Sequence, residues 1–287
     1  MAELETTGDE ARLGSPIRRI LIALDASTHS REALSTAIDL AARLHSEVKG
    51  LFVEDIDLFH LAELPFAREV RFPEATVRQM GLEDIQRRLR ARAAVVRREL
   101  EELAEQHHVA STFGVVRGPV ASELLAAALE ADVLALGRLG HSVARRARLG
   151  STARAAIERA ASAVLLVKPG VEGGPVVVLY DGSDAGRRAL EAAADLTGDS
   201  GDLRVLVWGP DEETAFDRRQ SAARSLARAG EHVQFQHLAG DDLQLIVELV
   251  NRQHGSLLII GLADSNLPAD IVQTLLEDAE QHVLLVR

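Results

Sequence analysis

Gly137, Gly140 and Gly150 are spaced as Gly-x2-Gly-x9-Gly, and Ser151 and Thr152 follow directly. The set sits between an apolar run, Val133 to Leu136, and a stretch with helical character from Ala153 to Ala161. Glycines in a strand-to-helix connection let the backbone approach a ligand, because no Cβ stands in the way. The helix that follows begins with N–H groups lacking an intrahelical acceptor and with the positive end of the helix dipole. Backbone donors and dipole together bind anions, most often phosphate. Arg145, Arg146 and Arg148 fall within the nine-residue spacer and suit either a small anionic ligand or a solvated loop. A second candidate is Asp25, which ends the apolar run Ile20 to Leu24 ahead of Ser27. A carboxylate there accepts from ligand hydroxyls, or it serves as a turn or helix cap.

The elements that position these residues are legible. The first half reads as strands 18–24, 47–53, 109–116, 132–136 and 163–167, with helices 30–44, 82–107, 119–130 and 151–161 between them. The second half repeats the order, with strands 175–180, 202–208, 232–238, 256–260 and 282–286 and helices 184–197, 212–230, 241–254 and 268–280. The repetition reaches single residues. Ile20-Leu-Ile-Ala-Leu-Asp25-Ala-Ser27 corresponds to Val176-Val-Val-Leu-Tyr-Asp181-Gly-Ser183, and Val164-Leu-Leu-Val-Lys168 to Val283-Leu-Leu-Val-Arg287. A repeat longer than a hundred residues means tandem domains rather than a solenoid. The expected division is a disordered tail over 1–15, one domain over 16–170 and a second over 171–287, joined through Pro169-Gly-Val-Glu-Gly-Gly-Pro175. Alternating short strands and helices predict an α/β fold: two doubly wound domains, each with a five-stranded parallel sheet in the order 3-2-1-4-5. Ligands of such sheets sit beyond the C-terminal strand ends where the strand order reverses, which is where Asp25 and Gly137 fall.

Composition narrows the function. The chain of 287 residues is 47% hydrophobic and has no cysteine, which excludes disulfides, thiolate catalysis and cysteine metal sites and fits a reducing, cytoplasmic setting. No apolar run approaches the length of a membrane span. The net charge is −12 and uneven: residues 1–170 carry 23 Lys+Arg against 24 Asp+Glu, and residues 171–287 carry 9 against 20. The acidic half repels nucleic acid. No Gly-Lys-Ser/Thr phosphate loop is present, and the histidines form no His-x3-His pair, so neither fast phosphoryl transfer nor a side-chain metal site is indicated.

Taken together, the strand ending in Asp25 with Ser27, the loop Gly137-x2-Gly140-x9-Gly150-Ser151 and the closing strand Val164 to Lys168 resemble the universal stress protein family. The resemblance covers nearly the whole chain as a tandem pair. It implies an adenine nucleotide, ATP or else ADP or AMP, held in the first half with Mg2+ bound through the phosphates. By the resemblance Asp25 approaches the ribose and Val53, with its backbone, the adenine. Gly137, Gly140, Gly150, Ser151 and Thr152 hold ribose and phosphates, and Ala23 and Arg138 complete the set. It also implies pairing of the last strands, here Ala163 to Val167 with His282 to Val286, as an intramolecular pseudo-dimer. A homodimer and an unidentified protein partner are further expectations, and no catalytic residue is indicated.

The second half departs from the pattern. Gly261 is followed by Leu262-Ala-Asp264-Ser-Asn-Leu-Pro268, without the second glycine or a later Gly-Ser/Thr, and Asp264 stands where Gly140 does. A degenerate copy that does not take ATP is expected there. Residues 54–81, an apolar insertion with Leu58, Phe59 and Phe72, read as a lid over the ligand or as a packing or dimer element. Two other functions fit less of the sequence: a slow ATPase or nucleotide-activating enzyme, which Mg2+-dependent turnover would mark, and an interaction protein with an empty first half, against which the retained glycines argue.

Overall fold

The computed structural model describes residues 17–64, 67–71, 76–79, 81–138, 149–198, 201–226 and 233–287. The tail expected over 1–15, Gly140 and the three spacer arginines lie outside them. The first half comprises β1 (Arg19–Leu24), α1 (Thr28–Leu44), β2 (Glu47–Asp55), α2 (Ile56–Glu63), β3 (Arg68–Arg71), β4 (Thr76–Gln79), α3 (Leu82–Gln106), β5 (Ser111–Gly118), α4 (Val120–Ala128), β6 (Val133–Gly137), α5 (Ser151–Arg159) and β7 (Ala163–Val167). The second half comprises β8 (Val176–Tyr180), α6 (Asp184–Thr197), β9 (Leu203–Gly209), α7 (Glu212–Ser225), β10 (Val233–Ala239), α8 (Leu243–Asn251), β11 (Leu257–Gly261), α9 (Ala269–Asp278) and β12 (His282–Val286).

Each half forms a parallel five-stranded array in the order expected. The order runs β5-β2-β1-β6-β7 in the first half and β10-β9-β8-β11-β12 in the second. The two arrays are not separate sheets. β7 and β12 pair antiparallel, with Val283 opposite Leu166, Leu284 opposite Leu165 and Leu285 opposite Val164, giving one ten-stranded sheet. The seam is apolar on both faces: Leu165, Val167, Leu284 and Val286 point into one core layer, Val164, Leu166, Val283 and Leu285 into the other. Leaving either edge strand unpaired would expose a row of backbone N–H and C=O groups.

Helices cover both faces, which is why the strands read as continuous apolar runs rather than alternating ones. α1, α2, α3, α6 and α7 supply one layer, and α4, α5, α8 and α9 the other. Local chemistry starts the helices where expected. Ser27 caps α1 by accepting from the Ser30 N–H, and Ser183 caps α6 by accepting from the Gly186 N–H. α2 and the β3–β4 hairpin lie inside the 54–81 insertion and were not predicted.

Candidate functional site

β1 pairs with β2 on one side and with β6 on the other, so the strand order reverses at its C-terminal end. A cavity of about 530 Å3 opens there. Ala23, Asp25, Val53, Gly137, Gly150, Ser151 and Thr152, all predicted from sequence, line it.

Asp25 is held by its own turn. Its Oδ1 accepts from the Ser27 N–H at 2.9 Å, and its N–H donates to Ser30 Oγ at 3.1 Å. Among the described residues Oδ2 receives no hydrogen bond, so one carboxylate oxygen remains for a ligand. Ala26 takes the left-handed region at φ 63° to aim this turn, a conformation that costs a side-chain-bearing residue energy. Across the crevice, Gly137 has no room for a Cβ, which would come within 2.8 Å of the His29 Cβ and 3.0 Å of its carbonyl oxygen.

The opposite end is cationic through its backbone. Among the described residues Gly150 precedes α5 with no side-chain cap, so the first N–H groups of the helix, those of the cavity-lining Ser151, Thr152 and Ala153, have no intrahelical acceptor. Backbone bonds fix this helix start. The Arg138 N–H donates to the Val167 carbonyl at 3.0 Å, and the Gly150 N–H donates to the Arg138 carbonyl at 2.8 Å. The ends of the glycine-bearing loop are thereby clamped together.

Arg138 corrects its sequence assignment. Its side chain is 5% exposed and does not line the cavity. The guanidinium instead donates to the carbonyls of Ala279 (2.8 Å) and Leu276 at the C-terminus of α9. Those carbonyls lie some 140 positions away in the chain, so no local pattern points to them.

One wall of the cavity is apolar, with Leu51, Leu124 and Leu136 beside Ala23 and Val53, and Asp55 also lines the cavity. Leu58 of α2 and Leu89 and Arg92 of α3 also line it. α2 is fastened as a side wall. Phe59 is buried in the core, and the Arg117 guanidinium lies 4.0 Å from its ring centre. The same guanidinium forks onto Oε2 of buried Glu54 at 2.7 and 2.9 Å. Sequence reasoning missed Leu89 and Arg92, and named Leu58 only within the insertion read as a lid or a packing element. The Asp55 cap and the apolar residues of Ile56 to Ala62 were the available signal for α2.

The corresponding region of the second half is filled by its own residues. Asp181 is 1% exposed. Its Oδ1 accepts from the Ser183 N–H (3.0 Å) and Oγ–H (2.6 Å), and its Oδ2 from the Ser265 Oγ–H (2.7 Å) and the Asn266 N–H (2.5 Å). Burial alone would push this carboxyl up, but the hydroxyl bonds from Ser183 and Ser265 and the N–H bonds from Ser183 and Asn266 hold it below the usual carboxylate range. Strand registers equate Ala23 with Leu179 and Val53 with Trp208. Both larger side chains are buried, and the Trp208 Nε1–H donates to the Gly240 carbonyl at 2.8 Å. The helix starts differ as well: α5 begins after Gly150, whereas α9 begins after Pro268.

Comparison with known proteins bears on the family and the fold. A sequence model described as the universal stress protein family matches residues 16–168. The universal stress protein MJ0531 of Methanocaldococcus jannaschii is 27% identical over 153 residues, covering 53% of this chain and 82% of that protein. Among solved structures, a universal stress protein from Archaeoglobus fulgidus superposes with a TM-score of 0.72 at 17% identity, covering 94% of this chain and 98% of that one. PA1789 of Pseudomonas aeruginosa, described as functionally unknown, gives a TM-score of 0.58 at 18% identity over 94% and 92% of the two chains. With more than half of its length matched by the family's sequence model, the chain belongs to the universal stress protein family.

Proposed function

We propose that the first half binds an adenine nucleotide in the cavity at the ends of β1 and β6, and that this protein acts as a nucleotide-responsive regulator in stress, through conformation or a protein partner. The observation that carries the reading is the pairing of two unspent groups in one cavity. Oδ2 of Asp25 is open to ribose hydroxyls, and the uncapped start of α5 is open to phosphate. The apolar wall of Ala23, Leu51, Val53 and Leu124 suits a base. ATP is the ligand favoured, with ADP and AMP sharing the same contacts. Among the described residues no three His, Asp or Glu side chains converge on a common point, so a Mg2+ ion would accompany the phosphates and be held by their oxygens. The reading treats 16–170 as the nucleotide domain and 171–287 as its tandem, non-binding copy. A homodimer of such chains belongs to the same proposal. The described cavity residues include the carboxylates of Asp25 and Asp55, and binding rather than turnover is the activity proposed.

Gly150→Asp tests it. Residue 150 has φ −69° and ψ 158°, an extended conformation open to any residue, and aspartate is a favourable N-cap. The variant should therefore fold with α5 intact while placing a carboxylate at the phosphate end. Equilibrium dialysis with ATP and Mg2+ should show retention by the parent chain and loss in the variant. Retention by both would remove the start of α5 from the site.

A further inference from the structure

Arg138 is the sharpest asymmetry between the halves. At the seam, Lys168 and Arg287 are equivalent in the repeat and behave alike. The Lys168 Nζ–H donates to the Ala279 carbonyl at the end of α9 at 3.2 Å, and the Arg287 guanidinium donates to the carbonyls of Ala156 (3.3 Å) and Ile157 in α5. Each half thus places a cation on the carbonyl end of the other half's last helix, where the dipole is negative. Arg138 adds a third such contact in one direction only. Its counterpart after Gly261 is Leu262, whose N–H makes the same backbone bond, to Val286 at 2.8 Å, but whose side chain has no cation to offer.

The same residue also holds the start of α5. A continuous set of bonds runs from Leu276 and Ala279 through the Arg138 guanidinium to its main chain, then from the Arg138 carbonyl to the Gly150 N–H and the open N–H groups of the cavity-lining residues that follow. The guanidinium is buried and bonded to both carbonyls, so a shift of the Arg138 main chain bears on the end of α9.

We propose that Arg138 is a positioning residue that couples occupancy of the first-half cavity to the C-terminal turn of α9, making the second half a reporter of the ligand state of the first. This rests on the nucleotide reading above. In its favour, the one described residue at the anion end that reaches across the seam is present in the half whose cavity is open and absent from the half whose cavity is filled.

Hydrogen exchange on the full chain, with and without ATP and Mg2+, tests the coupling in the parent, Arg138→Leu and Arg138→Lys. Leucine follows the glycine at the equivalent position of the second half, so Arg138→Leu is expected to fold. In the parent, ATP should slow exchange of the amides over 275–280 about tenfold, within the usual range of coupling between sites. Arg138→Leu should still bind ATP but lose that slowing, and Arg138→Lys, which keeps one donor group, should restore part of it. A parent that binds ATP without change over 275–280, or an Arg138→Leu variant that keeps the change, would overturn the coupling while leaving the nucleotide reading intact. A parent that binds no ATP would overturn the nucleotide reading. The ligand-free chains then decide whether the tie exists: faster exchange at Gly150 in Arg138→Leu than in the parent supports it, and equal exchange refutes it.

Discussion

Replacing Ala23 with leucine imports into the open cavity the residue that helps to close the other half. Ala23 lies opposite Leu51 on β2, and the equivalent Leu179 lies opposite Leu206 on β9 and is 1% exposed. The main chain at this register therefore accepts leucine. The change adds three carbons to the cavity wall. At about 0.8 kcal/mol per buried CH2, full burial would add about 2 kcal/mol of stability, and the open mouth reduces this to about 1 kcal/mol. A base seated against the same wall would meet the extra carbons, and overpacking of this size costs about 1–3 kcal/mol, or roughly 5- to 150-fold in affinity. Stability and affinity should thus move in opposite directions, which a misfolded variant could not imitate. Urea denaturation without ligand and calorimetric titration with ATP and Mg2+ read the two effects. Adding Val53→Trp, after Trp208, should complete the loss. A folded Ala23→Leu chain that binds ATP like the parent would refute the placement of the base against β1 and β2. A joint fall in stability and affinity would refute the claim that the cavity has room for the added carbons.

Two further outcomes follow from the main chain and the seam. Ala26→Gly should raise the denaturation midpoint by the equivalent of about 0.5–1 kcal/mol: Ala26 sits at φ 63°, the equivalent Gly182 at φ 77°, and relief of the left-handed conformation outweighs the greater freedom glycine has when unfolded; a lower midpoint would contradict this. His282 is held to a pKa of about 4 by burial at the seam, where its Nδ1 accepts from the Lys168 N–H at 3.2 Å. Because the folded value is depressed below the unfolded 6.5, the unfolded chain binds a proton that the folded chain does not between pH 6.5 and 4. Stability from this group is complete above pH 6.5 and declines as pH falls through that window, by about 1–2 kcal/mol at pH 5 once residual solvent contact is allowed for. His282→Gln should flatten the profile between pH 7 and 5, and an unchanged slope would remove His282 as its source.

Much of the architecture was legible because its signals are local. Strands such as Ile20 to Leu24 and Val164 to Val167 are buried on both faces and announce themselves as apolar runs, and Ser27 and Ser183 mark helix starts by their capping chemistry. The glycine spacing likewise predicted a cavity lined by Gly137, Gly150, Ser151 and Thr152. What escaped depends on contacts between distant positions. Arg138 looked like part of an anion loop, but its partners are carbonyls of α9, whose availability depends on where that helix ends. Leu89 and Arg92 join the cavity from α3, beside the short α2 packed against that helix. The second half was read as degenerate from its missing glycines, whereas the filling of the region by Trp208, Leu179, Ser265 and Asn266 depends on register and on the path of the loop after Gly261. The pairing of β7 with β12 was implied by the family resemblance, and its effect is that two arrays expected as separate sheets share one.

The most direct measurement is the stoichiometry of ATP binding to the ligand-free full-length chain in the presence of Mg2+, by isothermal titration calorimetry. An open first-half cavity and a self-filled second half require one site per chain. Two sites per chain would contradict the closure of the second half around Asp181 and Trp208, and none would contradict the assignment of the first-half cavity to a nucleotide.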